Sequence, residues 1–134
     1  MRVLGLDVGE ARIGVALGDT ESRIASPWAV VDAKDSAKAM VEIRKIIDTE
    51  RAEKVIVGMP KRLHNVNEAT AQQQSIQIFI DALQILGVPV ETEDETWTSK
   101  IASRQMIERG ERGKRDDLAA VAILETWLMR QDTA

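Results

Sequence analysis

The chain has 134 residues, a formal net charge of −4, a sequence pI near 5.1 and no cysteine. That length fits one domain over 1–134 with a real core, and the missing thiols exclude a disulfide framework, a thiolate metal site and a cysteine nucleophile. No apolar run nears the ~20 residues of a membrane helix, and the chain opens into a strand, not a signal pattern, so a cytoplasmic protein is expected. Mild acidity argues against a dedicated nucleic-acid coat protein, though not against an enzyme whose acidic site is ringed by local cations.

Residues Val3 to Asp7 and Ile13 to Leu17 read as two strands joined by a turn that contains Gly9. By the period of two, Asp7 shares a face with Val3 and Gly5, while Leu4, Leu6 and Val8 point the other way. A carboxylate beside an apolar core is costly unless paired. A divalent cation such as Mg²⁺ or Mn²⁺ would suit it, and a strand-end Asp capping the turn is the competing account. Arg23 to Val31 reads as a third extended segment, placed at a sheet edge by Pro27. Asp35 or Ser36 caps a helix whose Ala39, Met40, Ile43, Ile46 and Ile47 fall at helical spacing.

The short apolar run Lys54–Gly58 has the composition of a buried parallel strand. A polar loop follows, with Lys61, Arg62 and the only histidine, His64. Asn67 caps a helix carrying Ile76, Phe79, Ile80, Leu83 and Leu86, stopped by Gly87. Val88 to Asp94 is a further strand, and Glu91, Glu93, Asp94 and Glu95 crowd its end. Thr98 caps a helix ending near Gly110, residues 111–115 form a basic loop, and a last helix runs from about Asp116 to Met129. The order predicts an α/β fold: a mixed sheet, antiparallel first and parallel later, with helices on both faces.

Two further sources of carboxylate stand out. Asp116 lies within about 40° of Ala120, Ile123 and Trp127 on a helical projection, so it starts an apolar stripe; for Asp117 a capping role suffices. Glu93, Asp94 and Glu95 repel one another, which a bound cation would relieve, and a solvated acidic turn is the plainer account. Alternation alone leaves open which of them turns inward. In open α/β sheets, sites form at the carboxyl ends of parallel strands, where these groups would meet as a two-metal phosphodiesterase centre.

The motifs Gly5-Leu-Asp-Val-Gly9, Arg12-Ile-Gly-Val-Ala16, Gly18-Asp19, Ile24-Ala-Ser-Pro27, Val57-Gly-Met-Pro60, Asp94-Glu95 with Thr98, and Asp116-Asp-Leu-Ala-Ala120 recur here in order. With this set the chain resembles, over nearly its full length, the YqgF family, also called RuvX, of Holliday junction resolvases and pre-16S rRNA nucleases. The resemblance implies an RNase H-like fold with a five-stranded sheet. It also implies a catalytic, metal-holding triad of Asp7, Glu95 and Asp116 with Mg²⁺ or Mn²⁺. In that scheme water attacks phosphorus, Asp7 bridges two ions, and Glu95 and Asp116 each hold one. Two departures bear on substrate preference: Thr96 stands where the family has Arg after the Asp-Glu pair, and the loop 61–66 lacks its glycine.

Arg12, Lys61, Arg62, Arg112, Lys114 and Arg115 fall in predicted turns and loops and would hold phosphates in a sequence-blind grip. Taken singly, each is more simply a solvated charge; the cluster 112–115 favours phosphate because it adjoins Asp116. Trp28 and Trp97 are candidates for base stacking, with packing the commoner role. His64 is a candidate proton shuttle, although a lone loop histidine commonly has no chemical role. The expected activity is a hydrolase acting on ester bonds, processing the 5′ end of the small-subunit rRNA precursor. Resolution of branched DNA is the alternative and would want a two-fold homodimer. A non-catalytic nucleic-acid or ribosome-associated module is the option from another class. Nucleotide-dependent phosphotransfer, suggested by the first hairpin, lacks a Walker A sequence and a second domain.

Overall fold

The computed structural model of the chain describes residues 1–9, 11–59, 71–94 and 116–131. Strands β1 (Arg2–Val8) and β2 (Arg12–Asp19) form the expected antiparallel hairpin, with Asp7 opposite Gly14. Its turn depends on Gly9, whose N–H donates to the Arg12 carbonyl at 2.9 Å. A Cβ at Gly9 would lie 2.8 Å from that same oxygen, so any side chain there forces the turn apart. Strand β3 (Ala25–Asp32) pairs with β2 and occupies the sheet edge. Its register shifts opposite Val15 and Ala16, leaving Trp28 as the extra residue next to Pro27. Proline cannot donate to a ladder, so an irregular edge strand is where it is tolerated.

Helix α1 (Ser36–Glu50) is capped by Asp35, whose Oδ1 accepts from the Ala37 and Lys38 amides at 3.1 and 3.2 Å. Of the two expected caps, Asp35 therefore serves. Strand β4 (Lys54–Met59) runs parallel to β1, and α2 (Ala71–Ile85) gives way to Gly87, which has φ +84°. Strand β5 (Val90–Asp94) is parallel to β4 and begins two residues later than alternation predicts. Pro89 has no N–H to join the ladder, but its carbonyl accepts from the Val55 amide at 2.9 Å. The last helix, α3 (Asp116–Arg130), matches its predicted span within one residue. The predicted Asn67 cap and the helix from Thr98 to about Gly110 lie outside the described residues.

The sheet order is β3-β2-β1-β4-β5. Alternation along each strand feeds two cores. Leu4, Leu6, Val55 and Val57 pack with Ala39, Ile43 and Ile47 of α1 and Ile76, Phe79, Ile80 and Leu83 of α2. On the other face, Val3, Ala16 and Ile56 pack with Ala120, Val121, Ile123, Leu124, Trp127 and Leu128 of α3. The expected mixed five-stranded sheet with helices on both faces is thus present. Helix α3 is more deeply sunk than one apolar stripe requires, because Leu118 and Ala122 are also fully buried.

Candidate functional site

The centre of the sheet decides what surrounds Asp7. Strand β1 lies between β2 and β4, and Asp7 stands near its carboxyl end, on the α3 face with Val3 and Gly5. Asp7 is half-buried, and among the described residues no hydrogen bond or ion pair reaches its carboxylate. Glu91 and Glu93, on the same side of the sheet, are both engaged by the protein. Asp7 is the exception, and its position calls for a chemical reason.

Helix α3 approaches β1 at contact distance because Gly5 has no side chain. A Cβ there would lie 3.0 Å from Leu124 Cβ and 3.1 Å from the Ala120 carbonyl. At Gly18, opposite Val3, a Cβ would meet Leu124 Cδ2 at 2.9 Å. Going from Gly5 toward Val3 therefore means going from Ala120 toward Leu124, so α3 runs antiparallel to β1 with its N-terminal end toward Asp7. Asp116, the first residue of α3, is one turn (about 6 Å) before Ala120, and Asp7 is two strand residues (about 6.6 Å) beyond Gly5. The backbone thus brings the start of α3 level with Asp7. Beside it, Asp117 is buried and its Oδ1 accepts from the Leu118 amide at 3.0 Å, the capping role expected of it.

Strand β5 completes the row. Gly58 pairs with Glu93, and one step along the β1–β4 ladder sets Gly58 beside Asp7. The acidic run on β5, expected to be relieved by a cation, is partly relieved by the protein itself. Glu91 bonds to Lys54 Nζ and accepts from Trp127 Nε1 at 3.2 Å, while Lys54 Nζ lies 5.6 Å from the Trp127 ring centroid. The Lys54 ammonium, then the Trp127 N–H, hold the Glu91 carboxyl below its ordinary range. Glu93 is only 3% exposed and is ion-paired to Arg130. These partners come from other elements, distant in sequence, and no local pattern announces them.

Among the described residues, no three metal-ligating side chains form a group. Of the predicted site residues, Asp7 sits at a strand end and Asp116 opens α3; Glu95, Lys61, Arg62, Arg112, Lys114 and Arg115 lie outside the described residues, as do His64 and Trp97. Arg12 is exposed at the start of β2, opposite Asp32 on β3. Trp28 is 47% exposed at the edge strand. No described helix is long and apolar enough to cross a membrane.

The antiparallel hairpin, the parallel β4 and β5, and the helix that descends across the back of β1 together define an RNase H-like α/β domain. The fold resembles that of Thermus thermophilus RuvC, solved in complex with Holliday junction substrate, with a TM-score of 0.60, 21% identity and coverage of 100% of this chain and 98% of that one. The fowlpox virus resolvase, solved with Holliday junction DNA, superposes with a TM-score of 0.61 at 13% identity, covering 99% of this chain and 100% of its own. The family model for RuvX, described as Holliday junction resolvase, matches residues 1–130. A Natranaerobius thermophilus protein named "Putative pre-16S rRNA nuclease" is 39% identical, covering 98% of this chain and 96% of its own. A Thermus thermophilus protein of the same name is 36% identical, covering 97% and 98%. The chain belongs to the RuvX family.

Proposed function

We propose that this chain is a metal-dependent nuclease that hydrolyses phosphodiester bonds in structured RNA, trimming the 5′ end of the small-subunit rRNA precursor. The observation that carries the reading is Asp7: a half-buried carboxylate at the carboxyl end of the central strand, without a partner among the described residues, beside the N-terminal end of α3. A carboxylate in that setting is a hard oxygen donor suited to Mg²⁺ or Mn²⁺. The name of the relatives supports the RNA substrate.

Asp7, Glu95 and Asp116 would hold the metal. Glu91 and Glu93 alternate onto the α3 face of β5, and a period of two favours Glu95 over Asp94 for the same side. When bound, two such ions polarise the phosphate and lower the pKa of the attacking water. The cations Arg12, Lys61, Arg62, Arg112, Lys114 and Arg115 would seat flanking phosphates and set the scissile bond against the acids. Branched DNA is the second reading, favoured by the description of the family model.

Purified protein with Mn²⁺, offered an rRNA leader fragment and a four-way DNA junction in parallel, tests both. Cleavage of the leader and not the junction is expected, and it should disappear in Asp7→Asn. Cleavage that survives in Asp7→Asn removes the mechanism; cleavage of the junction alone transfers the assignment to the second reading.

A further inference from the structure

We infer that Gly14 and Gly58 are positioning residues that keep both sheet neighbours of Asp7 free of side chains for a bound ion and its water shell. The inference rests on the reading of Asp7 as a metal ligand. Gly14 is the cross-strand partner of Asp7 on β2, and Gly58 is the next step of the β1–β4 ladder on the other side. The row therefore reads Gly14, Asp7, Gly58, Glu93, on the face that α3 covers lower down. Glycine inside a strand weakens it, and its usual reason is a bulge or a close approach by a ligand or another backbone. No register shift separates Asp7 from Gly14.

The other glycines on these strands have a different explanation. Gly5 and Gly18 admit Leu124 of α3, and Gly9 in the turn admits the Arg12 carbonyl. Gly14 and Gly58 flank a carboxylate instead. Row neighbours in a sheet carry Cβ atoms about 4.5–5.5 Å apart. A hard cation sits about 2.1 Å from its oxygen ligand and retains several waters, so its shell reaches the positions that a methyl on either neighbour would fill. Gly5 and Gly18 thus serve helix packing, while Gly14 and Gly58 leave room for the ligand.

The test measures Mn²⁺ binding by the electron paramagnetic resonance of the free ion, without substrate, alongside thermal unfolding in metal-free buffer. Gly14→Ala and Gly58→Ala should each weaken Mn²⁺ binding by about tenfold or more, the scale on which groups around a metal's ligands act, with little change in metal-free Tm. Gly5→Ala should do the reverse, lowering Tm and leaving Mn²⁺ binding intact. In an Asp7→Glu background, which carries the carboxylate past an added methyl, the alanine substitutions should cost less binding. Alanine variants that bind Mn²⁺ as tightly as the parent overturn the inference. So does loss of the fold by both in metal-free buffer, which would make them packing glycines. A parent chain that binds no Mn²⁺ fails differently, because it removes the metal reading of Asp7 itself.

Discussion

Two carboxylates on the same side of the sheet illustrate how partners set chemistry. Glu91 is held by Lys54 and Trp127, and its carboxyl titrates below the ordinary range. A depressed folded-state pKa contributes stability that is fully present above the unfolded value and is lost as pH falls through the folded one. The Glu91 side chain is 46% exposed, so solvent screening keeps the contribution below about 1 kcal/mol. Glu91→Gln should therefore destabilise slightly at pH 7, and the difference from the parent should shrink at pH values under the ordinary carboxylate pKa of 4.5, as read by urea denaturation at pH 7 and pH 3. Asp7 has no such partner among the described residues, and its removal should leave stability nearly unchanged while cleavage falls by roughly 100-fold or more, the scale of losing one group that steadies a charged transition state. Single-turnover rates of Asp7→Asn, set beside its unfolding curve, check both halves.

Elements dock here through glycine. Gly5 and Gly18 let α3 sit against β1 and β2, but the atoms they admit differ. At Gly18 the nearest atom is the flexible end of Leu124, its Cδ2 at 2.9 Å. At Gly5 the neighbours are Leu124 Cβ and the backbone oxygen of Ala120, which truncation of Leu124 leaves in place. Gly5→Ala and Gly18→Ala should each cost on the order of 1–3 kcal/mol, as overpacking does. In a Leu124→Ala background the Gly18 penalty should largely vanish and the Gly5 penalty should persist, a coupling that a double-mutant cycle measures directly. Helix α1 offers a simpler case: Asp35→Ala removes the acceptor for the Ala37 and Lys38 amides and should cost about 1 kcal/mol in the same assay.

The whole molecule places a partnerless acid, among the described residues, at the middle strand's end and surrounds it with elements from both halves of the chain. A metal that binds the folded chain and not the unfolded one must raise its stability, by about 2.7 kcal/mol when free ion is at 100 times its Kd. Saturating Mn²⁺ should thus raise the Tm of the parent and leave Asp7→Asn unmoved, as scanning calorimetry with and without the ion would report. Unequal shifts among Gly14→Ala, Gly58→Ala and Gly5→Ala in the same experiment would tie the ligand to its row and not to the core beneath.

Local pattern was enough for much of this protein. Strand alternation assigned Val3, Gly5 and Asp7 to one face, the apolar run from Lys54 to Gly58 announced a parallel strand, Pro27 marked an edge, and the motif set pointed to the family. These signals are legible because periodicity and backbone restriction act between residues a few positions apart. The start of β5 was misplaced by two residues because Pro89 joins the ladder through its carbonyl alone. The partners of Glu91 and Glu93, at separations of 36 and 37 residues, and the glycines on either side of Asp7 were decided only when the strands took the order β3-β2-β1-β4-β5. Which side chain neutralises a carboxylate depends on distance in space, and strand order sets that distance where spacing along the chain does not.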